Sequence, residues 1–289
     1  IYRRRRIAVF GSLAVLVSGL AYLPLTLFAP VSTVEAAITA PTIAAAEPAE
    51  LSVPDAVASA IAAPGDGVLA QHGTTEPVPM ASITKLVTAL VVLDAHPIAA
   101  GEAGPEVTMT PSDVSIYRTY DNLGASVAPV RAGEVYTQFE LLQIMLIDSA
   151  GNYAVSLVNW AFGSEAAFVD AARTWLAEQG LASVVVTEPT GRDHGNVATA
   201  SDLLRLGEIA LADPSLAGIV ATPLVTIDGV GEVENSNRLL GDRGVDGIKT
   251  GTLNSFGANL LFSADVAVGS QTVPVVGVVD FAQQRGHHT

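Results

Sequence analysis

Two lysines are the residues of this chain that point most directly to chemistry. Lys85 and Lys249 are the only lysines among 289 residues, and arginine fills the other twelve basic positions. Arginine stays protonated at any workable pH, whereas a desolvated lysine can lose its proton and act as a base. Ser82 precedes Lys85 by three residues, and the apolar run 86–93 that follows is long enough for a buried helix. One helical turn then places hydroxyl and amine on the same face, where a lysine can take the proton of a serine nucleophile.

A simpler interpretation of the same pair is a serine that starts a helix beside a solvated lysine, and a lone Ser-x-x-Lys favours it. Two further positions carry reactive side chains. Ser149, Gly151 and Asn152 fall in a short polar break between two apolar segments. Lys249 is followed by Thr250 and Gly251 at the end of a predicted strand, although a strand-end lysine can also be a solvated charge. The three positions together favour a catalytic site.

The composition excludes several classes of function. With 29 acidic and 14 basic residues the formal charge is −15, which is unfavourable for binding nucleic acid or an anionic lipid surface. Cysteine is absent, so disulfides and thiol catalysis are excluded. The five histidines show no metal-ligand spacing, and we predict neither a metal nor any other cofactor.

The first residues are typical of an exported protein. Four arginines, Arg3 to Arg6, precede an apolar stretch over 7–29. Basic residues stay on the cytoplasmic side, so the chain downstream is predicted to be extracytoplasmic, either membrane-anchored or secreted to the cell wall. We assign residues 1–35 to a signal peptide or membrane anchor and the Ala- and Pro-rich residues 36–54 to a linker. A single folded domain is predicted over 55–289.

Hydrophobic periodicity within that domain predicts an α+β fold with an antiparallel sheet. Thr137 and Glu140 form a capping box that opens a helix over 138–147. Further helices are predicted from Ser82 to about residue 96, and over 153–162, 165–179 and 201–212. Strands are predicted over 56–62, 67–71, 106–110, 184–187, 225–233, 245–252, 258–268 and 272–281. Residues 111–130 are predicted to be irregular.

The three motifs, in this order and at these intervals, resemble those of the serine D-alanyl-D-alanine carboxypeptidases, the low-molecular-mass penicillin-binding proteins. The resemblance runs from about Asp55 to Phe281 and includes Pro79–Lys85, Glu188–Gly191 and Asp246–Gly251. It implies the β-lactamase/transpeptidase-like fold, in which the active site lies between the antiparallel sheet and a helical subdomain.

The resemblance also implies a role for each motif residue. Ser82 attacks the carbonyl of the penultimate D-alanine in a peptidoglycan stem peptide that ends in D-Ala-D-Ala, and Lys85 accepts its proton. Ser149 relays that proton to the departing D-alanine. Lys249 supplies a positive charge and Thr250 binds the terminal carboxylate. Gly251 lets the substrate backbone lie against the strand edge. β-Lactam antibiotics are then covalent inhibitors.

One position departs from the family pattern. The second motif is usually Ser-x-Asn, but Gly151 takes the third place and Asn152 comes one residue later. Either a local bulge brings Asn152 to the substrate, or Asn152 only caps the next helix and the amide is missing. Two alternatives therefore stay open beside the carboxypeptidase: a serine β-lactamase, and a catalytically impaired module that binds peptidoglycan or penicillin. No Glu-x-x-Leu-Asn segment follows Ser149, which counts against the β-lactamase.

The C-terminal end is the second departure. The family usually continues with a further strand and a helix that covers the sheet, so the chain resembles a truncated product. A sheet without that helix is expected to leave Val273, Val275 and Val279 partly uncovered.

Overall fold

The computed structural model describes residues 2–28, 51–99, 101–253 and 256–282. Most of the predicted linker, residues 36–50, and the last residues, 283–289, lie outside the described residues. The chain divides into two compact units, Ile1–Pro48 and Ala49–Thr289, which are taken separately.

Helix α1 (Tyr2–Leu27) belongs to the first unit. It has 26 residues and a mean hydropathy of 2.0 over its most apolar window, so its length and composition are sufficient to cross a membrane. A signal sequence near the N-terminus meets the same criterion.

The second unit is built from short strands, one long antiparallel sheet and seven helices among its described residues. The strands are β1 (Ala58–Ala63), β2 (Gly67–Gly73), β3 (Val78–Pro79), β4 (Glu106–Thr108), β5 (Val135–Thr137), β6 (Val197–Ala198), β7 (Leu224–Ile227), β8 (Gly231–Glu234), β9 (Val245–Leu253), β10 (Gly257–Val268) and β11 (Gln271–Ala282). The helices are α2 (Thr84–Ala95), α3 (Pro111–Asn122), α4 (Gln138–Ile147), α5 (Gly151–Phe162), α6 (Glu165–Glu178), α7 (Ala200–Ala212) and α8 (Pro214–Val220).

The five-stranded sheet has the order β2-β1-β11-β10-β9, and every neighbouring pair is antiparallel. Because side chains alternate along a strand, one face presents small and apolar residues such as Ala60, Leu261 and Val278, all nearly inaccessible to solvent. Helix α7 packs on β1, β10 and β11. Strand β9 is an outer strand, so one of its two sides carries no partner within the sheet.

Helix α2 lies at the centre of the helical layer. All ten residues from Thr84 to Leu93 are buried, and the helix contacts α4, α5, α6 and α7. A helix that is apolar on all sides requires such a central position, which confirms the buried helix predicted from the run after Lys85. Ser82 itself precedes α2, in a 3-10 turn over Ala81–Ile83.

The structure confirms the α+β class and corrects several predicted elements. Residues 111–122 are not irregular, because Thr110 and Asp113 form a capping box that opens α3, whereas 123–130 contain no helix or strand, as predicted. Helix α8 was not predicted. Residues 184–187 make an isolated bridge at Val185 rather than a strand, and 225–233 is a hairpin of β7 and β8.

The expected exposure of the last strand is also corrected. Val275 and Val279 are 7% and 8% exposed, so the prediction for these two residues was wrong. Their strand, β11, is central in the sheet and has a neighbouring strand on each side, which reduces side-chain exposure. Val273 is partly exposed as expected.

Candidate active site

Ser82 and Lys85 are adjacent in space, as their one-turn spacing predicted. Nζ of Lys85 donates a hydrogen bond to Oγ of Ser82 at 3.0 Å. Ser82 does not cap α2, because the chain enters that helix through a 3-10 turn and Ile83 is the N-cap residue. Ala81, just before the serine, has a positive φ of 48°. A non-glycine residue in that conformation is strained, and such strain is concentrated at functional sites.

Lys85 is buried among apolar side chains and is only 3% exposed. Burial disfavours the charged ammonium and lowers the pKa of Lys85 from 10.5 to about 8, while the carboxylate of Glu188 raises it and Arg192 lowers it. The lowering expected from the sequence is therefore found. A lysine with this pKa has a useful fraction of neutral amine near neutral pH and can accept the proton of Ser82.

A turn after α6 fixes the amine of Lys85. The carbonyl oxygen of Thr190 accepts a second hydrogen bond from Nζ of Lys85 at 2.7 Å. The carboxylate of Glu188 organises that turn by accepting from the backbone N–H of Thr190 at 2.8 Å, from its hydroxyl at 2.6 Å and from the N–H of Gly191 at 2.6 Å. Sequence reasoning noted this segment but assigned no role to Glu188 or Thr190.

Ser149 joins the same cleft from the break between α4 and α5. It is 6% exposed and has a φ of 63°, again an unusual conformation for a residue with a side chain. The break therefore folds back sharply, and Ser149 lines the cleft together with Ser82 and Lys85. These three predicted catalytic residues are brought together.

Asn152 has neither of the two roles considered from the sequence. It is 1% exposed, and its side-chain amide pairs with the backbone of Ala128, donating to the carbonyl at 3.0 Å and accepting from the N–H at 3.1 Å. The N-cap of α5 is Ala150, without a side-chain cap. Gly151, not Asn152, lines the cleft. Asn152 thus holds the segment around Ala128, and the expectation that it binds substrate receives no support from its position.

Lys249, Thr250 and Gly251 lie on the outer strand β9. Lys249 is 1% exposed, and its Nζ donates to the carbonyl of Thr250 at 3.0 Å and to Oγ of Ser236 at 3.4 Å. The hydroxyls of Ser236 and Thr250 are 2.7 Å apart. Burial and the charge of Lys85 lower the pKa of Lys249, and Asp148 raises it. Ser236 was missed from the sequence, because nothing in its local pattern signals a site.

Gly251 has a packing role in addition to the one expected from the sequence. A Cβ at this position would lie 3.0 Å from Cβ of Ala81, 3.0 Å from the carbonyl oxygen of Met80 and 3.2 Å from the backbone nitrogen of Ser82. The glycine therefore lets β9 approach the turn that carries the nucleophile. This close approach puts the backbone N–H of Ser82 beside the strand, as an oxyanion hole requires.

A cleft of about 400 Å³ opens over these residues. Its described lining comprises Ser82, Lys85, Tyr120, Leu123, Gly124, Ala125, Ser126, Ser149, Gly151, Thr190, Gly191, Arg192, His194, Thr252 and Leu253. The segment from Tyr120 to Ser126 and the residue Arg192 were not predicted, since they are distant in sequence from the motifs. No cluster of three or more metal-ligating His, Asp or Glu side chains is found within the described part of the chain.

The arrangement is that of a serine acyl-transfer site: a buried lysine donates a hydrogen bond to the serine hydroxyl, and a second lysine lies on the neighbouring outer strand. Residues 44–279 match the family described as D-alanyl-D-alanine carboxypeptidase (Peptidase_S11). The chain belongs to this family, as the three motifs indicated.

Individual relatives agree with this assignment. A D-alanyl-D-alanine endopeptidase of Pseudomonas aeruginosa is 34% identical over 150 residues, which is 52% of this chain and 45% of that protein. The D-alanyl-D-alanine carboxypeptidase DacC of Escherichia coli is 28% identical over 201 residues, 68% of this chain and 50% of that protein. The chain thus spans about half the length, or less, of these relatives.

A solved structure confirms the fold. The crystal structure of a D-alanyl-D-alanine carboxypeptidase from Mycobacterium tuberculosis superposes with a TM-score of 0.67 and 26% identity. The superposition covers 81% of this chain and 86% of the solved chain. The expected α+β fold, with an antiparallel sheet beside a helical layer, is therefore correct.

Proposed function

We propose that this chain is a serine D-Ala-D-Ala carboxypeptidase that removes the terminal D-alanine from peptidoglycan stem peptides through an acyl-enzyme. The observation that carries the proposal is the contact of 3.0 Å between Oγ of Ser82 and Nζ of Lys85, whose pKa is lowered to about 8 by burial. Membership of the carboxypeptidase family supports the choice of substrate.

Acylation proceeds in one exchange of bonds. Oγ of Ser82 forms an ester bond with the carbonyl carbon of the penultimate D-alanine, and Lys85 accepts the hydroxyl proton. The bond from that carbon to the nitrogen of the last D-alanine breaks, and the proton passes through Ser149 to the departing amine. The backbone N–H groups of Ser82 and Thr252 stabilise the oxyanion. Water then hydrolyses the ester and restores Ser82.

The terminal carboxylate of the substrate binds beside Lys249 and Thr250, in the middle of β9. The hydroxyls of Thr250 and Ser236 and the ammonium of Lys249 form a compact set of donors there. A bound carboxylate raises the pKa of Lys249 and so favours its charged form. This site also accepts the carboxylate that penicillins share with the substrate, which supports β-lactams as covalent inhibitors.

The substrate class places the action outside the cytoplasm, at the cell wall. The N-terminal segment, with its arginines followed by the apolar helix α1, supports export, with the segment acting as a membrane anchor or as a signal peptide.

A second candidate is a D,D-endopeptidase, which cuts a cross-link between two stem peptides with the same residues. It is favoured by the names of two relatives, the endopeptidases of Pseudomonas aeruginosa and Escherichia coli, at 34% and 31% identity. The two activities differ in the amine that leaves the acyl group: the amine of a free D-alanine, or the side-chain amine of the second stem peptide.

Intact mass after incubation with penicillin tests the shared chemistry. The wild type is expected to gain the mass of one antibiotic, and Ser82→Ala is expected to gain none. Ser201→Ala, on the exposed start of α7, is the matched control and should be labelled like the wild type. A stable adduct on Ser82→Ala would overturn the assignment. Turnover of a D-Ala-D-Ala peptide and of a cross-linked dimer then separates the two candidates.

A further inference from the structure

The cleft differs in charge from the protein that surrounds it. The chain has 29 acidic and 14 basic residues, yet the described residues that line the cleft include no aspartate or glutamate. They do include Lys85, Arg192 and His194. Lys85 is buried and bonded to Ser82 and Thr190, whereas Arg192 is exposed. Arg192 is therefore a permanent cation at the open part of the cleft.

Most donors of Arg192 are available to a ligand. Its Nη1 donates to the carbonyl of Leu123 at 3.3 Å. The ion pairs found within the described part of the chain do not involve it. A guanidinium has five N–H donors in a planar fork, and that geometry matches a carboxylate. The hydrogen bond to Leu123 holds the side chain at the cleft, and the remaining guanidinium donors have no hydrogen-bond partner among the described residues.

The geometry of β9 indicates which part of a substrate Arg192 meets. Thr250, in the middle of β9, is the residue proposed to receive the terminal carboxylate, and Thr252 and Leu253 line the cleft towards the end of the strand. A peptide added to the strand edge advances by about 3.4 Å per residue. With the scissile bond at Ser82, the residue before the two D-alanines therefore lies beside Thr252 and Leu253, in the part of the cleft that Arg192 shares.

We propose that Arg192 selects stem peptides in which the residue before D-Ala-D-Ala carries a side-chain carboxylate, in preference to an amide or an amine at that place. The proposal rests on the proposed function, because it assumes that a D-Ala-D-Ala peptide adds along β9. It assigns a substrate class to a residue that none of the three motifs contains.

Three acetylated tripeptides that differ in one group test the proposal. Each ends in D-Ala-D-Ala and begins with glutamate, glutamine or ornithine. The wild type is expected to hydrolyse the glutamate peptide about 1.4- to fivefold faster in kcat/KM than the glutamine peptide, which is the range for an exposed ion pair. The ornithine peptide should be slowest. The preference should decrease as salt is added, because salt screens exposed charges.

Two variants test whether Arg192 causes the preference for the glutamate peptide. Arg192→Gln should hydrolyse the glutamate and glutamine peptides at equal rates. Arg205→Gln, which removes an equivalent exposed charge from α7, should keep the wild-type ratio. Because Arg192 also lowers the pKa of Lys85, its removal can change all rates together, and the ratio between peptides cancels that effect.

The outcomes separate this inference from the proposed function. A wild type that is acylated by penicillin but shows no preference between glutamate and glutamine would overturn the role of Arg192 alone. The same holds if Arg192→Gln retains the full preference. If penicillin forms no adduct and no peptide is cut, the proposed function fails. In that case the binding affinity of the protein for each of the three peptides is measured by direct titration. Equal affinities would overturn the proposed preference of Arg192 for a carboxylate.

Discussion

A Cβ at position 151 would lie 3.0 Å from Cδ1 of Tyr120, so the tyrosine ring occupies the space into which a side chain at that position would project. The family pattern usually has asparagine here. Because the site is already filled, Gly151→Asn is expected to slow penicillin acylation and to lower stability by about 1–3 kcal/mol, as overpacking does.

The double variant Gly151→Asn/Tyr120→Ala identifies the cause of that loss. If the ring is the obstacle, the two substitutions should be strongly non-additive, and the double variant should be more stable than the sum of the single effects predicts. Urea unfolding of the wild type, the two single variants and the double variant gives the free energies of unfolding for this comparison. Faster acylation by Gly151→Asn with Tyr120 in place would contradict the interpretation.

Asn152→Ala is expected to affect stability more than chemistry. It removes both hydrogen bonds to Ala128 and leaves a buried N–H and a buried carbonyl without these partners, which costs about 2–5 kcal/mol. The acylation rate of the folded protein should stay within about tenfold of wild type. Asn159→Ala, on the less buried part of α5, is the control. A stability loss below about 1 kcal/mol, the value of a helix cap, would contradict the proposal that Asn152 holds the segment around Ala128.

The pH dependence of acylation should follow Lys85. Its pKa is lowered to about 8, so the neutral amine is the minor form below that pH, and its fraction falls about tenfold for each further pH unit. Second-order rate constants with penicillin are expected to rise up to about pH 8 and then to level off.

Lys85→Arg should lower these rate constants by about 10²–10⁴-fold, the usual contribution of a general base. Near wild-type rates in that variant would restrict Lys85 to an electrostatic role.

Glu188→Gln should move that profile to lower pH. The carboxylate raises the pKa of Lys85, so removing its charge lowers the pKa and extends the neutral amine into more acidic solution. The maximal rate should also fall, because Glu188 orders the turn that presents the carbonyl of Thr190. Glu178→Gln, at the exposed end of α6, should change neither property. A lower rate with an unmoved profile would indicate a structural role only.

Asp280 is expected to make the protein less stable at alkaline pH. Its two carboxylate oxygens are buried without a hydrogen-bond partner among the described residues, and burial raises its pKa from 3.8 to about 7. The folded state therefore holds the proton more tightly than the unfolded state does. The resulting penalty is absent below pH 3.8, grows up to about pH 7 and is complete above it.

Asp280→Asn should remove that penalty. Its stability relative to wild type should be greater at pH 8 than at pH 4 by on the order of 4 kcal/mol, since each pKa unit corresponds to about 1.4 kcal/mol. Asp265→Asn, at an exposed position on β10, is the control. The free energy of unfolding is measured with urea at both pH values. If Asp280→Asn and Asp265→Asn show the same change in stability relative to wild type between pH 4 and pH 8, Asp280 is not the group responsible.

The sequence predicted the elements whose signals are local. The capping box of Thr137 and Glu140 placed α4 at its observed bounds, and the apolar run after Lys85 identified the central helix. Helix α3 was missed because its residues are mostly polar, although Thr110 and Asp113 form the same capping box with a proline at the helix start. Asp213 and Pro214 give a comparable signal for α8.

The candidate active site was predicted only in part, because local sequence patterns do not reveal tertiary contacts. Ser82, Lys85 and Ser149 belong to motifs with fixed spacing, and they meet as expected. Arg192 and Ser236 reach the site through contacts between segments far apart in the chain, which no local pattern reveals. The burial of Asn152 beside Ala128 is likewise a tertiary contact, so the sequence alone left its role undecided.

Strand β9 has one edge that pairs with no other described strand. An unpaired edge is a template for any extended chain, and inward-pointing charges are one of the devices that prevent uncontrolled pairing. Lys249 points inward from this edge and is buried there. We expect this inward-pointing polar side chain to oppose self-association at the unpaired edge, and an apolar residue in its place to make the protein more prone to form edge-to-edge oligomers.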